Sequence, residues 1–235
     1  DVFDVVHLRS SDPVAAWRDH LEVQEARCKR LQALDLGALH FVGGGTDLMV
    51  GLATGHRWVG GRSRAANGAF PVCNFPTEEV FTCPHRDRVE GRLVASRPLA
   101  LGGIVVDGLV VTFRGGIAER IEAREGREML ESLLRGDAGA RRLGEVGLVP
   151  CSSPVARKGA LFYNTLLDEN AASHIAFGQS YPACVESARN RDEAGVNTSI
   201  LHVDCMIGHD AMDVDGVLQS GERRAIMRAG DFVLD

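Results

Sequence analysis

Short apolar runs separated by glycine-rich turns recur along the chain and predict a protein built mainly of β-strands. Between residues 88 and 123 such runs alternate with glycines, which is the pattern of an antiparallel meander. Residues 39–42 and 48–52 are apolar and flank a triple-glycine turn, so we expect a β-hairpin there. A further hairpin is expected between residue 212 and the end of the chain.

Helical signals are fewer. The Ser-Asp-Pro triplet at residues 11–13 offers a cap residue followed by proline, and apolar residues then recur at helical spacing to about Leu34. This predicts an amphipathic helix with His20 on its surface. A second helix is expected over residues 126–135, whereas residues 1–10 fit either a short strand or the end of a linker. Together these signals predict an α+β fold with a β-rich, mixed or antiparallel sheet and a few helices.

Composition limits the class of protein. With 235 residues, of which 45% are hydrophobic, the chain can bury a substantial core as one large or two small domains. The net charge is −6 and no cluster of Lys and Arg occurs, so nucleic acid is not an expected partner. The chain contains no apolar run of about eighteen residues and does not open with a signal peptide, so we expect no association with a membrane.

Cysteine usage indicates a reducing compartment. The six cysteines are scattered and form no CxxC pair. Five of them sit beside apolar or small residues, which is typical of buried, reduced thiols in a cytoplasmic protein. We therefore expect no disulfides.

The apolar run at residues 200–208 carries the most specific chemical signal. His202 and Asp204 are separated by one residue among β-forming neighbours, so on a strand both side chains leave the same face. This arrangement is typical of metal ligands, and the alternative is a solvated strand face. The flanking apolar residues favour a buried strand, in which His and Asp need polar partners.

Other acidic and imidazole groups also lie in apolar surroundings. Glu145 stands alone in a predicted buried strand, and Glu78 and Glu79 sit between prolines, beside apolar residues that pull at least one of them inward. If the carboxylates of Glu79, Glu145, Glu169 and Asp204 met without a counter-charge, each close pair would repel by about 4 kcal/mol at an effective dielectric constant of about 20. Two divalent cations would neutralise them, and mixed carboxylate and imidazole donors suit Zn, Co or Mn, with Mg a weaker option. The candidate ligands are Glu79, Glu145, Glu169, His174, His202 and Asp204.

Several motifs resemble one family, the metalloaminopeptidases grouped as M29. They are GTDL (45–48), NFPTEEVFT (74–82), LGEVGLVP (143–150), FYNTLLDENAASHIAFG (162–178) and GVNTSILHVDCMIG (195–208). The resemblance runs through the chain from the first helix on, and the motifs together are highly specific. Chains of that family are considerably longer. The resemblance therefore implies that residues 1–235 are the catalytic domain, without the N-terminal domain of the family, and the first residue, which is Asp rather than Met, agrees with this expectation.

The resemblance also implies a role for each candidate. Glu79, rather than Glu78, would be a metal ligand, and Glu145 would bridge both ions. Tyr181 would be the catalytic tyrosine, donating a hydrogen bond to the developing oxyanion. The remaining implied ligands are His174, His202, Asp204 and Glu169.

Glu169 fits this set least well. It lies five residues before His174, about 140° round an ideal helix, so the two side chains converge only if Glu169 sits at or before the start of the helix. Asp168 as the N-cap would allow this. Either Glu78 or Glu169 would serve as the general base, and the residues do not choose between them.

The implied activity is the release of N-terminal residues from peptides by a metal-activated water. Peptides with a free N-terminus would be the substrates, and the full-length protein would be a homodimer. One alternative is a catalytically silent metal-binding or oligomerisation fragment, because the absent part could supply walls of the active site. Another is a metal-free hydrolase that uses Ser or Cys, although no GxSxG motif occurs.

Overall fold

Two antiparallel β-sheets account for most of the regular structure. The computed structural model describes residues 2–186 and 190–234. The larger sheet contains, in spatial order, β15 (Asp231–Phe232), β14 (Arg223–Arg228), β13 (Asp213–Leu218), β1 (Leu36–Gly43), β2 (Thr46–Leu52), β5 (Pro84–Val94), β8 (Val110–Arg114) and β9 (Ile117–Glu122). The smaller sheet contains β12 (His202–Met206), β11 (His174–Gly178), β10 (Leu143–Leu148), β4 (Val80–Thr82) and β3 (Val59–Gly60). A separate hairpin consists of β6 (Leu99–Leu101) and β7 (Ile104–Val106).

The predicted β-elements are confirmed. Strands β1 and β2 form the expected hairpin, joined by Gly44 and Gly45 with φ of +56° and +88°. Two residues at positive φ match the twist of the flanking strands, and glycine adopts that conformation without strain. Strands β5, β8 and β9 form the antiparallel meander, and β13 pairs with β14 as the last hairpin. The α+β fold class is therefore correct.

The core lies between the two sheets. Phe113 on β8 stacks on Phe177 on β11, with ring centroids 5.9 Å apart, and both side chains are buried. Ile175 and Phe177 on β11 and Val146 on β10 belong to this core. Because side chains alternate along a strand, the intervening positions on β10 and β11 point away from the core. The smaller sheet thus has one apolar face and one face free for other groups.

Helix α2 (Pro13–Ala33) begins where the sequence predicts. Asp12 is its N-cap and accepts a hydrogen bond from the backbone N–H of Ala15 at 2.9 Å. The other helical segments are short, and no helix in the described ranges is long and apolar enough to cross a membrane. These short segments are α1 (Val2–Val5), α3 (Arg127–Leu133), α4 (Pro154–Arg157), α5 (Thr165–Glu169) and a 3₁₀-helix (Pro182–Cys184).

Two expectations about the N-terminal segment are wrong. The first residues form the short helix α1 (Val2–Val5) rather than a strand or linker, because the segment packs on α2 and the indole N–H of Trp17 donates to the carbonyl of Val6 at 2.8 Å. His20 does not lie on the surface. Its ring packs edge-on against Trp17, and its Nε2 is 2.6 Å from the carbonyl oxygen of Thr77.

The thiols are less buried than expected. All six cysteines are free, but only Cys83, Cys184 and Cys205 are buried. Cys73 is exposed, although Val72 precedes it, because it lies in an irregular segment between β3 and β4. Neighbours in the sequence indicate burial reliably only where regular structure fixes the direction of the side chain.

Candidate metal centre

Five of the six candidate ligands gather on the free face of the smaller sheet. Glu145 on β10 pairs with Ala176 on β11, and Ala176 pairs with Asp204 on β12, so the three residues form one row across the sheet. His174 and His202 lie two residues from this row on their own strands, which returns their side chains to the same face. The predicted pairing of His202 with Asp204 on one strand face is confirmed.

Glu79 joins this face from the neighbouring strand. Phe81 on β4 pairs with Gly147 on β10, and Glu79 lies two residues before Phe81. Gly147 also pairs with His174 on β11. A Cβ atom at residue 147 would lie 2.4 Å from Nε2 of His174, so glycine is needed there to leave room for the imidazole.

Short polar distances link the five side chains. Nε2 of His174 lies 3.0 Å from Oε2 of Glu79 and 3.4 Å from Oε1 of Glu145. Nε2 of His202 lies 3.7 Å from Oε2 of Glu145 and 3.3 Å from Oδ1 of Asp204. Each carboxylate oxygen of Glu145 therefore faces a different imidazole. The cluster divides into two ligand groups that share Glu145.

Backbone carbonyls determine which nitrogen of each imidazole faces the cluster. Nδ1 of His174 is 3.1 Å from the carbonyl oxygen of Ala172, and Nδ1 of His202 is 2.9 Å from that of Gln179. A carbonyl can only accept, so Nδ1 carries the hydrogen in both rings and Nε2 points into the cluster. Metal-binding histidines commonly donate a second hydrogen bond of this kind, which fixes the tautomer and the ring orientation.

Close packing of ionisable groups shifts their pKa values. Burial raises the pKa of Glu145 to about 7. The hydrogen bond from His174 lowers this pKa in part, whereas the negative charge of Glu79 raises it further. Burial alone would lower the pKa of His202, but its bond to Asp204 outweighs burial and raises the pKa to about 9. The pKa of His174 is raised in the same way by Glu145 and Glu79, and that of Asp204 is lowered by His202 despite burial. Positive charge on the cluster face is therefore strongly favoured.

Glu169 reaches the site by a different route from the one expected. His174 lies on a strand rather than a helix, and Glu169 is the last residue of α5. The N-cap of α5 is Asn164, so Asp168 as N-cap was wrong; Asp168 instead accepts hydrogen bonds from the backbone N–H groups of Phe162 and Asn164. Glu169 lines the same cavity as Glu79, Glu145, His202 and Asp204. The carboxylate of Glu169 forms no hydrogen bond and no ion pair with the other residues that the structure describes.

Glu78 and Glu79 are both buried, but they face different neighbours. Oε2 of Glu78 lies 3.9 Å from Nε2 of His20, and Glu78 does not line the cavity that contains Glu79 and Glu169. Burial raises the pKa of Glu78 to about 8, against the nearby charge of Arg27. Burial likewise raises the pKa of Glu169 to about 8, and the charge of Glu79 adds to the shift. Of the two candidate bases, only Glu169 faces the metal-ligand cluster.

Asn170 was not among the candidates, yet it joins the two acidic segments. Its Oδ1 accepts a hydrogen bond from the backbone N–H of Glu78 at 2.6 Å, and its Nδ2 donates to the carbonyl of Leu166 on α5 at 2.7 Å. Because Glu79 follows Glu78 and Glu169 precedes Asn170, this buried amide sets the spacing between two carboxylates. The signal in the sequence is the polar run Asp-Glu-Asn directly before an apolar segment.

A cavity of about 300 Å³ opens onto the cluster. Tyr181 lines it with 48% of its surface exposed, and its ring centroid lies 5.1 Å from that of His202 and 5.8 Å from that of Phe81. Burial and the surrounding carboxylates raise the pKa of Tyr181, so its hydroxyl stays protonated and can donate. Val59 and Ala183 add an apolar wall, which gives room for an organic group beside the polar cluster.

The donor set fits divalent metal ions. One ligand atom from each of Glu79, Glu145 and His174 lies within 4.8 Å of the other two. Oε2 of Glu79 and Oε2 of Glu145 are buried and have no hydrogen-bond partner, since the contact of Glu79 with His174 lacks hydrogen-bond geometry. Buried carboxylate oxygens without partners are costly, and a cation would satisfy them. Mixed oxygen and imidazole donors suit Zn, Co or Mn.

Comparison with known proteins shows the family to which the chain belongs. The family model for thermophilic metalloproteases (M29) matches residues 1–232. Aminopeptidase T of Thermus aquaticus is 50% identical over 236 residues, a match that covers 99% of this chain and 58% of that protein. Aminopeptidase 2 of Geobacillus stearothermophilus is 41% identical over 239 residues, covering 100% of this chain and 58% of that protein.

The fold of the chain also matches that of a solved structure. The solved structure of wild-type AmpT from Thermus thermophilus matches with a TM-score of 0.93 at 49% identity, and the match covers 98% of this chain and 57% of that one. The chain therefore spans less than two thirds of the length of these relatives. Since the family model and the relatives match along nearly the whole chain, this protein belongs to the M29 family of thermophilic metalloproteases.

Proposed function

We propose that this chain carries the catalytic centre of a divalent-metal-dependent aminopeptidase, which releases N-terminal residues from peptides. The observation that carries the proposal is the position of Glu145, whose two oxygens face two different imidazoles on one buried sheet face. The names of the relatives, aminopeptidase T and aminopeptidase 2, support the same activity. Residues 1–235 would then form a catalytic domain within a longer protein.

Two ions fit the two ligand groups. Glu79 and His174 would hold one ion, and His202 and Asp204 would hold the other. Glu145 would bridge the pair, because each of its oxygens is directed to one group. Zn, Co and Mn suit these donors better than Mg. When bound, such ions would lower the pKa of a water molecule and polarise the carbonyl of the scissile peptide bond.

Glu169 is the better candidate for the general base. It lines the cavity, whereas Glu78 faces helix α2. Without ions the pKa of Glu169 is about 8, and cations bound beside it would lower that pKa, which leaves a carboxylate that can take a proton from water and pass it to the leaving amine. A direct bond between Glu169 and an ion stays a prediction, since the ion pairs of His174 and His202 are with Glu79, Glu145 and Asp204 and not with Glu169.

Tyr181 would donate a hydrogen bond to the carbonyl oxygen of the scissile peptide bond as negative charge develops on it. Its position at the mouth of the cavity, beside His202, supports this role. The raised pKa keeps the phenol protonated, which a donor requires. The ring also covers one side of His202 and shields the polar cluster from solvent.

An aminopeptidase must also recognise a free α-amine. With the ions bound, a carboxylate of the cavity that no ion engages, or an open position on one ion, would hold this amine. Peptides with a free N-terminus are accordingly the proposed substrates. The homodimer and the cytoplasmic location remain predictions.

Two other readings fit less well. A cysteine hydrolase is disfavoured because burial raises the pKa of the Cys184 and Cys205 thiols, and the neutral thiol is a weak nucleophile. A silent metal-binding fragment would hold two ions without turnover. In that case the missing walls of the active site would come from the part of the relatives that this chain does not match, since the match covers 58% of each relative.

Removal of metal should abolish hydrolysis of leucine p-nitroanilide, and adding back Co or Zn should restore it, because the proposed chemistry needs a polarised carbonyl. Release of p-nitroaniline measured by absorbance checks this. Activity that ignores the chelator would contradict the proposal. Two bound ions per chain without any turnover would instead favour the silent fragment.

Glu145→Gln should lower kcat/KM by more than ~100-fold, since even the outer hydrogen-bond partners of metal ligands typically cost 10–100-fold when they are changed. Glu78→Gln is the matched control, because it removes a buried carboxylate beside the site that does not face the cavity. Its loss should be much smaller. Equal losses in steady-state assays would show that the pair has been assigned wrongly.

Tyr181→Phe should lower kcat by ~10²–10³-fold and change KM little, as expected for a donor that acts mainly on the oxyanion. The chain has two tyrosines, so Tyr163→Phe provides the control, and it should retain activity because Tyr163 is 61% exposed. A Tyr181→Phe enzyme with unchanged kcat would exclude the donor role.

Metal binding by the chelator-treated protein should release protons near neutral pH. His202 has a pKa raised to about 9, so it is protonated there, whereas a ligand imidazole must be neutral. We expect the release of at least about two protons per chain, one from each histidine and a further fraction from Glu145, whose pKa is about 7, and an apparent affinity that rises with pH through about 9. Calorimetry in buffers of different ionisation enthalpy measures the count. His202→Gln should lower it by about one proton, and binding without proton release would contradict the ligand assignment.

A further inference from the structure

A second group of metal-binding side chains lies behind the segment that carries Glu79. His7 follows α1, His20 lies on α2, and Glu78 precedes Glu79. One ligand atom from each of His7, His20 and Glu78 lies within 4.8 Å of the other two. We propose that these three residues form an additional site for a divalent cation such as Zn²⁺, distinct from the centre around Glu145.

Unpartnered polar atoms are the independent sign of a ligand here. Oε1 of Glu78 and Nε2 of His7 are both buried and have no hydrogen-bond partner within the described part of the chain. The Glu78 residue is 2% exposed, so water cannot readily satisfy its carboxylate. Buried groups of this kind are costly, and a cation between them would satisfy both at once.

Neighbouring groups leave this position open to a cation. The side chain of Arg27, whose charge acts on Glu78, donates to Oε1 of Gln24 and lies over the ring of Phe232, with 4.6 Å between its Cζ and the ring centroid. Within 4.0 Å, the one ionic neighbour of Glu78 among the described residues is His20, at 3.9 Å. Among the described residues, no Lys or Arg side chain therefore forms an ion pair with this carboxylate.

The types of ligand atom and the distances between them fit zinc. Two imidazoles and one carboxylate are a common three-ligand set for zinc, with a water in the fourth position. Ligand atoms around a tetrahedral zinc lie ~3.4 Å apart, so the three side chains need to draw together by about 1 Å. His7 is packed by a ring contact with Trp17 and can rotate, whereas His20 would have to exchange the contact between its Nε2 and the carbonyl oxygen of Thr77 for the ion.

Such an ion would tie both N-terminal helices to the wall of the catalytic centre. His7 and His20 belong to the α1 and α2 segments, and Glu78 adjoins Glu79. Binding should therefore stabilise the folded protein, since an ion that binds only the native state adds its binding free energy to stability. The ion would act on structure rather than on the reacting atoms, because Glu78 does not face the cavity.

Trp17 provides a local probe of this site. Its ring centroid lies 5.6 Å from that of His7 and 5.3 Å from that of His20, and the only other tryptophan is Trp58. In a Glu145→Gln, Trp58→Phe protein, which weakens the main centre and leaves one tryptophan, titration with Co²⁺ should quench the fluorescence of Trp17 in a saturable way. His7→Asn added to that protein should remove the quenching, and asparagine is chosen because residue 7 has φ of +58°.

Zinc content gives a second measurement that does not depend on these background changes. The wild-type protein, equilibrated with Zn²⁺ and freed of excess, should hold three ions per chain, and His7→Asn should hold two. His40→Asn, on the larger sheet, is the matched control and should still hold three. Two ions in the wild type, no saturable quenching, or a third ion that persists in His7→Asn would each overturn the proposal.

Discussion

Mutual repulsion among buried carboxylates is the constraint on which the site depends. Glu79, Glu145 and Asp204 are all buried on one face of one sheet. At an effective dielectric constant of about 20, each close pair of like charges costs about 4 kcal/mol. Protonated imidazoles or metal ions must offset that repulsion, and the raised pKa values of His174 and His202 show how strongly this face attracts positive charge.

The sheet solves the geometric problem by regular spacing. Antiparallel pairing aligns Glu145, Ala176 and Asp204 in one row, and the two-residue period of the strands brings the histidines to the same side. Small residues in the paired positions leave room for the rings, as Gly147 does for His174. The opposite face packs into the apolar core, so the energy of core burial holds the charged face in place.

Much of this arrangement follows from the sequence, and the remainder depends on contacts that a sequence does not display. The alternation around His202 and Asp204 and the lone Glu145 in an apolar run predicted side chains on a buried strand. The position of His174 was misjudged, because the motif before it has helical character and the strand begins at that residue. The different directions of Glu78 and Glu79, and the role of Asn170, arise from neighbours distant in the chain. Local pattern cannot encode such contacts.

Crystallography with anomalous scattering from zinc would test the central claim most directly. Difference maps from data collected on either side of the zinc absorption edge locate each ion without reference to activity. We expect two peaks on the free face of the smaller sheet, one on each side of the Glu145 carboxylate, with His174 and His202 bound to different ions. Peaks that leave Glu145 uncoordinated, or an absence of zinc on that face at saturating concentration, would contradict the metal centre described above.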